Sequence, residues 1–219
     1  SLREIQMDIY DYYSNQYDQI MSQYEHRGNT LENNISYDET AGNIANASDY
    51  DQLISNELDK INVLTNKRND LIKVMNQAVS SGIIKEQSDE WYEMRQGIYE
   101  VSESLQEANT NLLDYANSLE QIQWDTFKRI TDNYDNIIAS IDNRRNTLDN
   151  FISQTEDKGY LVSTEYYESL IENEQDNVYK LTKERNDLIE SMNKSLASGN
   201  LQKYSDVWYD MQQEIDGVS

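Results

Sequence analysis

Arg68-Asn69-Asp70-Leu71-Ile72 returns 117 positions later as Arg185-Asn186-Asp187-Leu188-Ile189, and the sequence on either side of it returns as well. Residues 1–102 align without a gap on residues 118–219, and 43 of the 102 aligned pairs are identical. A tandem repeat of this length is typical of an architectural protein, because repetition extends a shape and seldom builds one asymmetric pocket. The repeat also provides an internal control, since any residue proposed for chemistry can be compared with its counterpart in the other copy.

The composition favours long helices. The 219 residues include no proline, which would cost about 3 kcal/mol inside a helix, and only seven glycines. Cysteine is absent, which excludes a disulfide framework. No apolar stretch approaches the roughly 20 residues of a membrane-spanning helix, and no signal-peptide pattern opens the chain. We therefore expect an all-α protein segment that does not insert into a membrane.

The charge excludes one class of partner. The formal net charge is -23, from 41 acidic and 18 basic residues. A surface of this sign repels nucleic-acid phosphates and anionic lipid headgroups. We therefore predict no direct binding of this segment to DNA or RNA.

Apolar residues along the first helix recur at alternating steps of three and four, which is the spacing of a coiled-coil seam. The predicted seam contains Tyr10, Tyr13, Tyr17, Ile20, Tyr24, Arg27 and Leu31, and the second copy keeps this frame. Glycine-containing loops and a serine–glycine pair interrupt the seams. The predicted helices span about 3–36, 48–80, 88–117, 118–153, 164–197 and 205–219, and Ser48 is the predicted N-cap of the second.

No breaking residue separates the third helix from the fourth, so a single continuous helix is predicted over about 88–153. The expected fold is a tandem pair of antiparallel three-helix coiled-coil bundles in a spectrin-like layout, joined by that helix. The predicted division falls between residues 1–117 and residues 118–219, with the second bundle truncated.

Charged residues at seam positions are the sharpest local features. A hairpin around Gly42 places Arg27 opposite Glu57 and Arg68 opposite Tyr17, and polar groups at core positions fix register in coiled coils. We predict semi-buried ion pairs between Arg27 and Glu57 and between Arg144 and Glu174, with the guanidinium groups of Arg68 and Arg185 stacked on Tyr17 and Tyr134.

The sequence offers little for catalysis. His26 is the single histidine, and its counterpart is Asn143, so zinc or copper ligation is not predicted. Phosphate-binding glycine loops and nucleophile elbows are not found, and the many carboxylates fit solvated helix faces. We predict no catalytic residue, no metal and no cofactor.

The run SGIIKEQSDEWYEM at residues 81–94, with LQEANTN at 105–111 and QIQWD at 121–125, resembles the helical region of tail tape measure proteins. These proteins belong to bacteriophages and prophages of Gram-positive hosts. The resemblance implies a structural protein that fills the tail tube in the virion, sets tail length, and leaves through the tube as DNA is injected. Members are often much longer, so the chain would be an internal fragment.

The implied partners are the tail tube and tail assembly proteins, and the partly apolar helix faces leave self-association open. A folded three-helix repeat conflicts with a role in setting tail length by an extended chain. It adds about 50 Å per 117 residues, whereas one extended helix adds about 175 Å. We hypothesise that the hairpins open when the tube assembles. The alternative function is a spectrin-like coiled-coil spacer of a bacterial surface or cytoskeletal-type protein.

Overall fold

The computed structural model describes residues 1–218. Within this range the chain forms five α-helices and no strand, which confirms the all-α prediction. The helices are α1 (Leu2–Thr40), α2 (Ala47–Ser80), α3 (Asp89–Asp157), α4 (Thr164–Ser198) and α5 (Asp206–Gly217). None of these helices is long and apolar enough to cross a membrane.

Short loops separate the helices, and each loop contains one glycine with a positive φ angle: Gly42, Gly82, Gly159 or Gly199. At Gly199 the left-handed conformation ends α4 and turns its amide to the carbonyl of Leu196, a cap that favours glycine. The start of α2 differs from the prediction. Its N-cap is Asn46, two residues before the predicted Ser48, and the Asn46 side chain accepts from the amide of Ser48.

The chain divides into two compact units, the first from Ser1 to Leu119 and the second from Glu120 onward. This boundary lies two residues beyond the predicted one. The helix α3 runs through it without a break, so its first part, residues 89–119, belongs to unit 1 and its second part, residues 120–157, to unit 2.

The core of unit 1 is built from α1, α2 and the first part of α3. Its buried members include Met21 of α1, Leu64 and Leu71 of α2, and Met94 and Leu105 of α3. Tyr10 joins the same core and donates a hydrogen bond of 2.7 Å from its hydroxyl to the carbonyl of Met94. Helix α1 therefore packs against both α2 and α3 in this unit.

The core of unit 2 lies around Phe127 of α3. It includes Leu188 and Met192 of α4 and Met211 and Ile215 of α5. Trp124 stacks on Phe127 with ring centroids 5.9 Å apart. Burial in this unit is thus concentrated where the short helix α5 covers α4.

One finding corrects the predicted seams. Between residues 10 and 35 of α1 the buried or half-buried positions are 10, 14, 17, 21, 24, 28, 31 and 35, so every second seam residue lies one position later than predicted. Tyr13, Ile20 and Arg27 are consequently exposed, whereas Met21 is buried and Gly28 is half-buried. Steps of three and four alternate in both frames, and the larger side chains at 13 and 20 favoured the wrong one. In α2 the displacement runs one position earlier instead, so that Lys67 is buried more deeply than Arg68.

Candidate functional site

The predicted ion pairs at the seams are wrong in their partners. Arg27 is exposed, and the buried carboxylate of Glu57 accepts instead from Lys60 on its own helix at 2.9 Å. In unit 2, Arg144 pairs with Asp176 at 3.1 Å, and Glu174 pairs with Arg145 at 3.0 Å. The physical reason is the one-residue displacement of the seam, which turns both arginines outward.

A buried asparagine occupies the layer that was assigned to these ion pairs. The amide nitrogen of Asn56 donates to the carbonyl of Tyr24 at 3.0 Å, and Asn173 donates to Ile141 at 3.1 Å. The four positions are exact counterparts in the two copies, and both asparagines are at least 98% buried. In each unit a core amide therefore ties the second helix of the hairpin to the backbone of the first.

The two asparagines differ in their second contact. In unit 2 the Oδ1 atom of Asn173 accepts from Nε of Arg144. In unit 1 the Oδ1 atom of Asn56 is buried without a hydrogen-bond partner in the protein. A Cβ atom at Gly28 would lie 3.3 Å from Nδ2 of Asn56. A side chain at position 28 would therefore crowd the Asn56 amide, and glycine leaves space for it. Polar groups of this kind specify register in helical cores, at some cost in stability.

A tyrosine–aspartate contact forms a second repeated layer. The hydroxyl of Tyr17 donates to Asp70 at 2.6 Å, and that of Tyr134 donates to Asp187 at 2.5 Å. The hydrogen bond to Asp70 and burial raise the pKa of Tyr17 to about 12. Burial and the hydrogen bond to Asp187 raise the pKa of Tyr134 to about 12. Each contact joins the first helix of a hairpin to the second.

The predicted stacking of arginine on these tyrosines is also wrong. Arg185 is exposed and Arg68 is half-buried. Among residues 1–218 the cation–π contacts have other partners, such as Arg95 over Trp91 at 5.1 Å. Each tyrosine hydroxyl donates instead to the aspartate two residues after the arginine, and a hydrogen bond to an ionised carboxylate is a strong one.

The copies differ in charge at one core position. In unit 1 the ammonium group of Lys67, which is 8% exposed, pairs with Asp18 at 2.5 Å. The counterparts in unit 2 are Glu184 and Asp135, so an acid replaces the lysine while the aspartate is kept. Burial, followed by the charges of Asp135 and Glu214, raises the pKa of Glu184. Unit 2 thus carries a buried acid under the influence of like charges where unit 1 has an ion pair.

Sequence reasoning named Tyr17 and Tyr134 but missed their aspartate partners and the two asparagines, although the internal duplication marked them. Asn56, Asp70 and their counterparts are identical in the two copies. His26, in contrast, is exposed and is not repeated. Within the part of the chain that the structure describes, no group of three histidine, aspartate or glutamate side chains is placed to hold a metal ion.

Comparison of the chain with protein-family models, with curated proteins and with solved structures found no match. The function is therefore inferred from the geometry of the repeated layers. Those layers consist of contacts between helices, with Asn56 and Tyr17 in unit 1 and Asn173 and Tyr134 in unit 2. Such contacts can hold a hairpin in register.

Proposed function

We propose that this chain is a structural, non-catalytic segment of a phage tail tape measure protein, which helps set tail length and occupies the tail tube. The observation that carries the structural part is the repetition of the same helix-to-helix contacts 117 residues apart. A catalytic pocket does not require the same helix-to-helix contacts in both copies, whereas a repeating scaffold requires them in each copy.

The finer architecture of the proposal is a spectrin-like one, in which α1, α2 and residues 89–119 form one antiparallel three-helix bundle. The shared core of Tyr10, Leu64 and Leu105 supports this, because each residue comes from a different helix. In this proposal α3 ends the first bundle and starts the second, which α4 and α5 continue.

The assignment to a phage tail rests on the resemblance of residues 81–94, 105–111 and 121–125. In the structure the first of these runs begins at Ser81, the C-cap of α2, crosses the loop at Gly82 and starts α3, where the side chain of Ser88 accepts from the amide of Trp91 at 3.3 Å. The run therefore encodes the turn between two helices of the repeat. The proposed partners are the tail tube and tail assembly proteins, and the proposed location is the lumen of the tail tube in the virion.

Tail length tests the proposal directly. A second copy of residues 1–117 inserted in frame into the parent phage gene is expected to lengthen the tail, measured by electron microscopy. The gain is about 175 Å if the repeat is stretched into one helix and about 50 Å if it stays folded. An unchanged tail length in otherwise normal virions would contradict a role as a ruler.

The larger gain requires the hairpins to open, and a cross-link between α1 and α2 tests this. Positions 28 and 56 lie opposite each other in the hairpin, because a Cβ at Gly28 would lie 3.3 Å from Nδ2 of Asn56. Since that nitrogen lies beyond the Cβ of Asn56, cysteines at the two positions are joined with a short reducible thiol-reactive cross-linker and not by a direct disulfide. Cross-linking positions 28 and 56 should block tail assembly, and reduction should restore it. Normal tails with the cross-link formed would show that the hairpin stays closed.

The alternative is a spectrin-like coiled-coil spacer of a bacterial surface or cytoskeletal-type protein. The specific observation in its favour is that α1 folds back on α2 through buried contacts, so that each repeat is compact. The parent gene separates the two functions. Flanking genes for tail tube, assembly chaperone and baseplate support the tape measure, whereas a secretion signal and a wall anchor in the parent protein support the spacer.

A further inference from the structure

A polar cavity lies inside unit 1, between α1, α2 and the first part of α3. Its volume is about 320 Å³, and residues from all three helices line it. Among the lining residues four are acidic and one, Lys60, is basic. The acidic residues are Glu25, Glu32, Glu57 and Glu107. This acidic cavity therefore carries an excess of negative charge between the three helices.

Two buried acceptors belong to residues that line the acidic cavity and have no donor in the protein. They are the Oδ1 atom of Asn56 and the Oε2 atom of Glu57. Asn56 is 0% exposed and Glu57 is 3% exposed, and Lys60 donates only to the other carboxylate oxygen, Oε1. A buried acceptor without a donor lowers stability, so a molecule that supplied N–H groups here would be bound favourably.

In unit 2, arginine side chains donate to the equivalent acceptors. The Oδ1 atom of Asn173, the counterpart of Asn56, accepts from Nε of Arg144. The carboxylate of Glu174, the counterpart of Glu57, pairs with Arg145 at 3.0 Å. A cationic group with N–H donors is therefore a suitable partner for this pair of acceptors.

Unit 1 keeps the acceptors but places no arginine on them. Gly28 stands where unit 2 has Arg145, and Arg27, the counterpart of Arg144, is exposed. Gly28 itself lines the acidic cavity. The missing side chain at position 28 therefore leaves room beside Asn56 for a cation from outside the chain.

The electrostatics of the acidic cavity also favour a cation. Tyr115 lines the cavity and donates a hydrogen bond from its hydroxyl to Glu32. Burial, followed by that hydrogen bond and by the charges of Glu32 and Glu57, raises the pKa of Tyr115. The charges of both glutamates thus act on a group in the cavity wall, and they would attract a positive charge placed beside it.

We propose that the acidic cavity binds a small organic cation through N–H donors, supplied by a primary ammonium or a guanidinium group. A metal ion suits the cavity less well, because within residues 1–218 no group of three acidic or histidine side chains is placed to hold one. An organic cation can instead direct N–H groups to acceptors that do not converge on one point. The volume lies at the lower end of the range of about 300–1,000 Å³ for ligand pockets, which suits a short diamine.

Titration of putrescine, a short diamine, into the full chain by calorimetry tests the proposal. The titration is done in about 0.15 M NaCl, which screens exposed charges beyond about 8 Å. Saturable binding is expected, and it should be about tenfold weaker with Glu57→Gln, which removes a charged acceptor. Gly28→Arg should abolish it, because the protein then supplies its own guanidinium group, as Arg145 does in unit 2. Agmatine, which has a guanidinium group at one end, should also bind, and the tighter of the two probes identifies the preferred donor.

Matched controls separate this site from general attraction to an acidic protein. Glu107→Gln removes a carboxylate of the cavity and should weaken binding. Glu103→Gln removes the same charge one turn earlier on α3, at an exposed residue that does not line the cavity, and should leave binding unchanged. Tetramethylammonium carries a positive charge but no N–H donor and should not bind. Equal weakening by the two substitutions, or equal binding of tetramethylammonium, would overturn the proposal.

Nuclear magnetic resonance locates the ligand and detects binding that releases too little heat. The side-chain amide signal of Asn56, assigned from its absence in the Asn56→Leu variant, should shift as putrescine is added. Binding that leaves this signal unmoved, or that persists in Gly28→Arg, would place the ligand elsewhere and overturn the proposal. Displacement of putrescine by MgCl₂ beyond the effect of NaCl at the same ionic strength would also overturn it, in favour of a metal site. So would the absence of both heat and a shift with either probe.

Discussion

At the scale of single residues, one difference between the two copies is compensated by a second difference beside it. Tyr10 places its hydroxyl over α3, and a Cβ at Gly97 would lie 2.6 Å from that oxygen. In the second copy the counterparts are Phe127, which has no hydroxyl, and Glu214, which has a side chain. The glycine at position 97 therefore leaves space for the hydroxyl at position 10, and the copy without the hydroxyl can hold a side chain there.

Gly97→Ala is expected to lower the free energy of unfolding of unit 1 by about 1–2 kcal/mol, because the new methyl group overlaps the Tyr10 hydroxyl. In a Tyr10→Phe background the same change should be neutral or stabilising by up to about 1 kcal/mol, since alanine is the better helix former. Urea denaturation of the full chain, followed by hydrogen exchange in residues 1–119, measures both effects. Tyr10→Phe alone is the control for the lost hydrogen bond to Met94. Equal effects of Gly97→Ala in the two backgrounds would contradict the steric argument.

The repeated asparagines should differ in what they contribute. Asn56→Leu removes the hydrogen bond to Tyr24 but also a buried acceptor that has no partner, so the two effects offset and the free energy of unfolding should change by less than about 1 kcal/mol. Asn173→Leu removes a hydrogen bond with Arg144 as well as the bond to Ile141, and should cost about 1–2 kcal/mol. Urea midpoints, with hydrogen exchange assigned to each unit, give the order. A larger cost at Asn56 would refute this interpretation of the two layers.

At the scale of helices, the sequence could predict where each element lies but not which way it faces. Loop glycines and uninterrupted seams place the helices within a few residues of their observed bounds. Two frames that differ by one residue at alternate seam positions both satisfy the step of three and four, and only tertiary packing separates them. The predicted Arg27–Glu57 pair failed for this reason, because Arg27 faces outward with Gly28 half-buried beside it, while Asn56 is buried next to Glu57. The repeat could have pointed to Asn56, because it is identical in both copies.

The buried acid of α4, Glu184, should make the stability of unit 2 depend on pH. Glu184→Lys recreates in unit 2 the pair that Lys67 and Asp18 form in unit 1, so it should stabilise unit 2 at pH 7 by on the order of 1 kcal/mol. Because folding raises the pKa of Glu184, its ionisation costs stability as the pH rises through the folded-state pKa. The gain from the substitution should therefore shrink as the pH falls toward 4, where the native Glu184 is protonated.

Urea midpoints of both proteins between pH 4 and pH 8, with hydrogen exchange of α4, measure that difference. Lys67→Glu is the matched change and should destabilise unit 1 at pH 7, because it places an acid beside Asp18. A pH-independent gain from Glu184→Lys would show that packing, and not the charge of Glu184, sets the effect.

At the scale of the whole molecule, the dominant electrostatic feature is an excess of negative charge. The net charge is -23, and most of the ion pairs that the structure shows involve at least one exposed partner, as in Arg145–Asp149, where both side chains are 50% exposed. Exposed pairs contribute little to stability, whereas like charges on a compact chain repel one another. Folding brings the acidic groups together, so the folded state bears the larger share of this repulsion.

The melting temperature should therefore rise when NaCl is increased from about 0.01 M to about 0.1 M, which shortens the screening length from about 30 Å to about 10 Å. Each 1 kcal/mol gained should correspond to about 2–4 °C for a chain of this size. Circular dichroism at 222 nm follows the transition, and KCl at the same ionic strength is the control and should give the same shift. A fall in melting temperature with salt would mean that ion pairs outweigh repulsion. A much larger rise with MgCl₂ at matched ionic strength would instead indicate a bound divalent cation, which screening alone does not require.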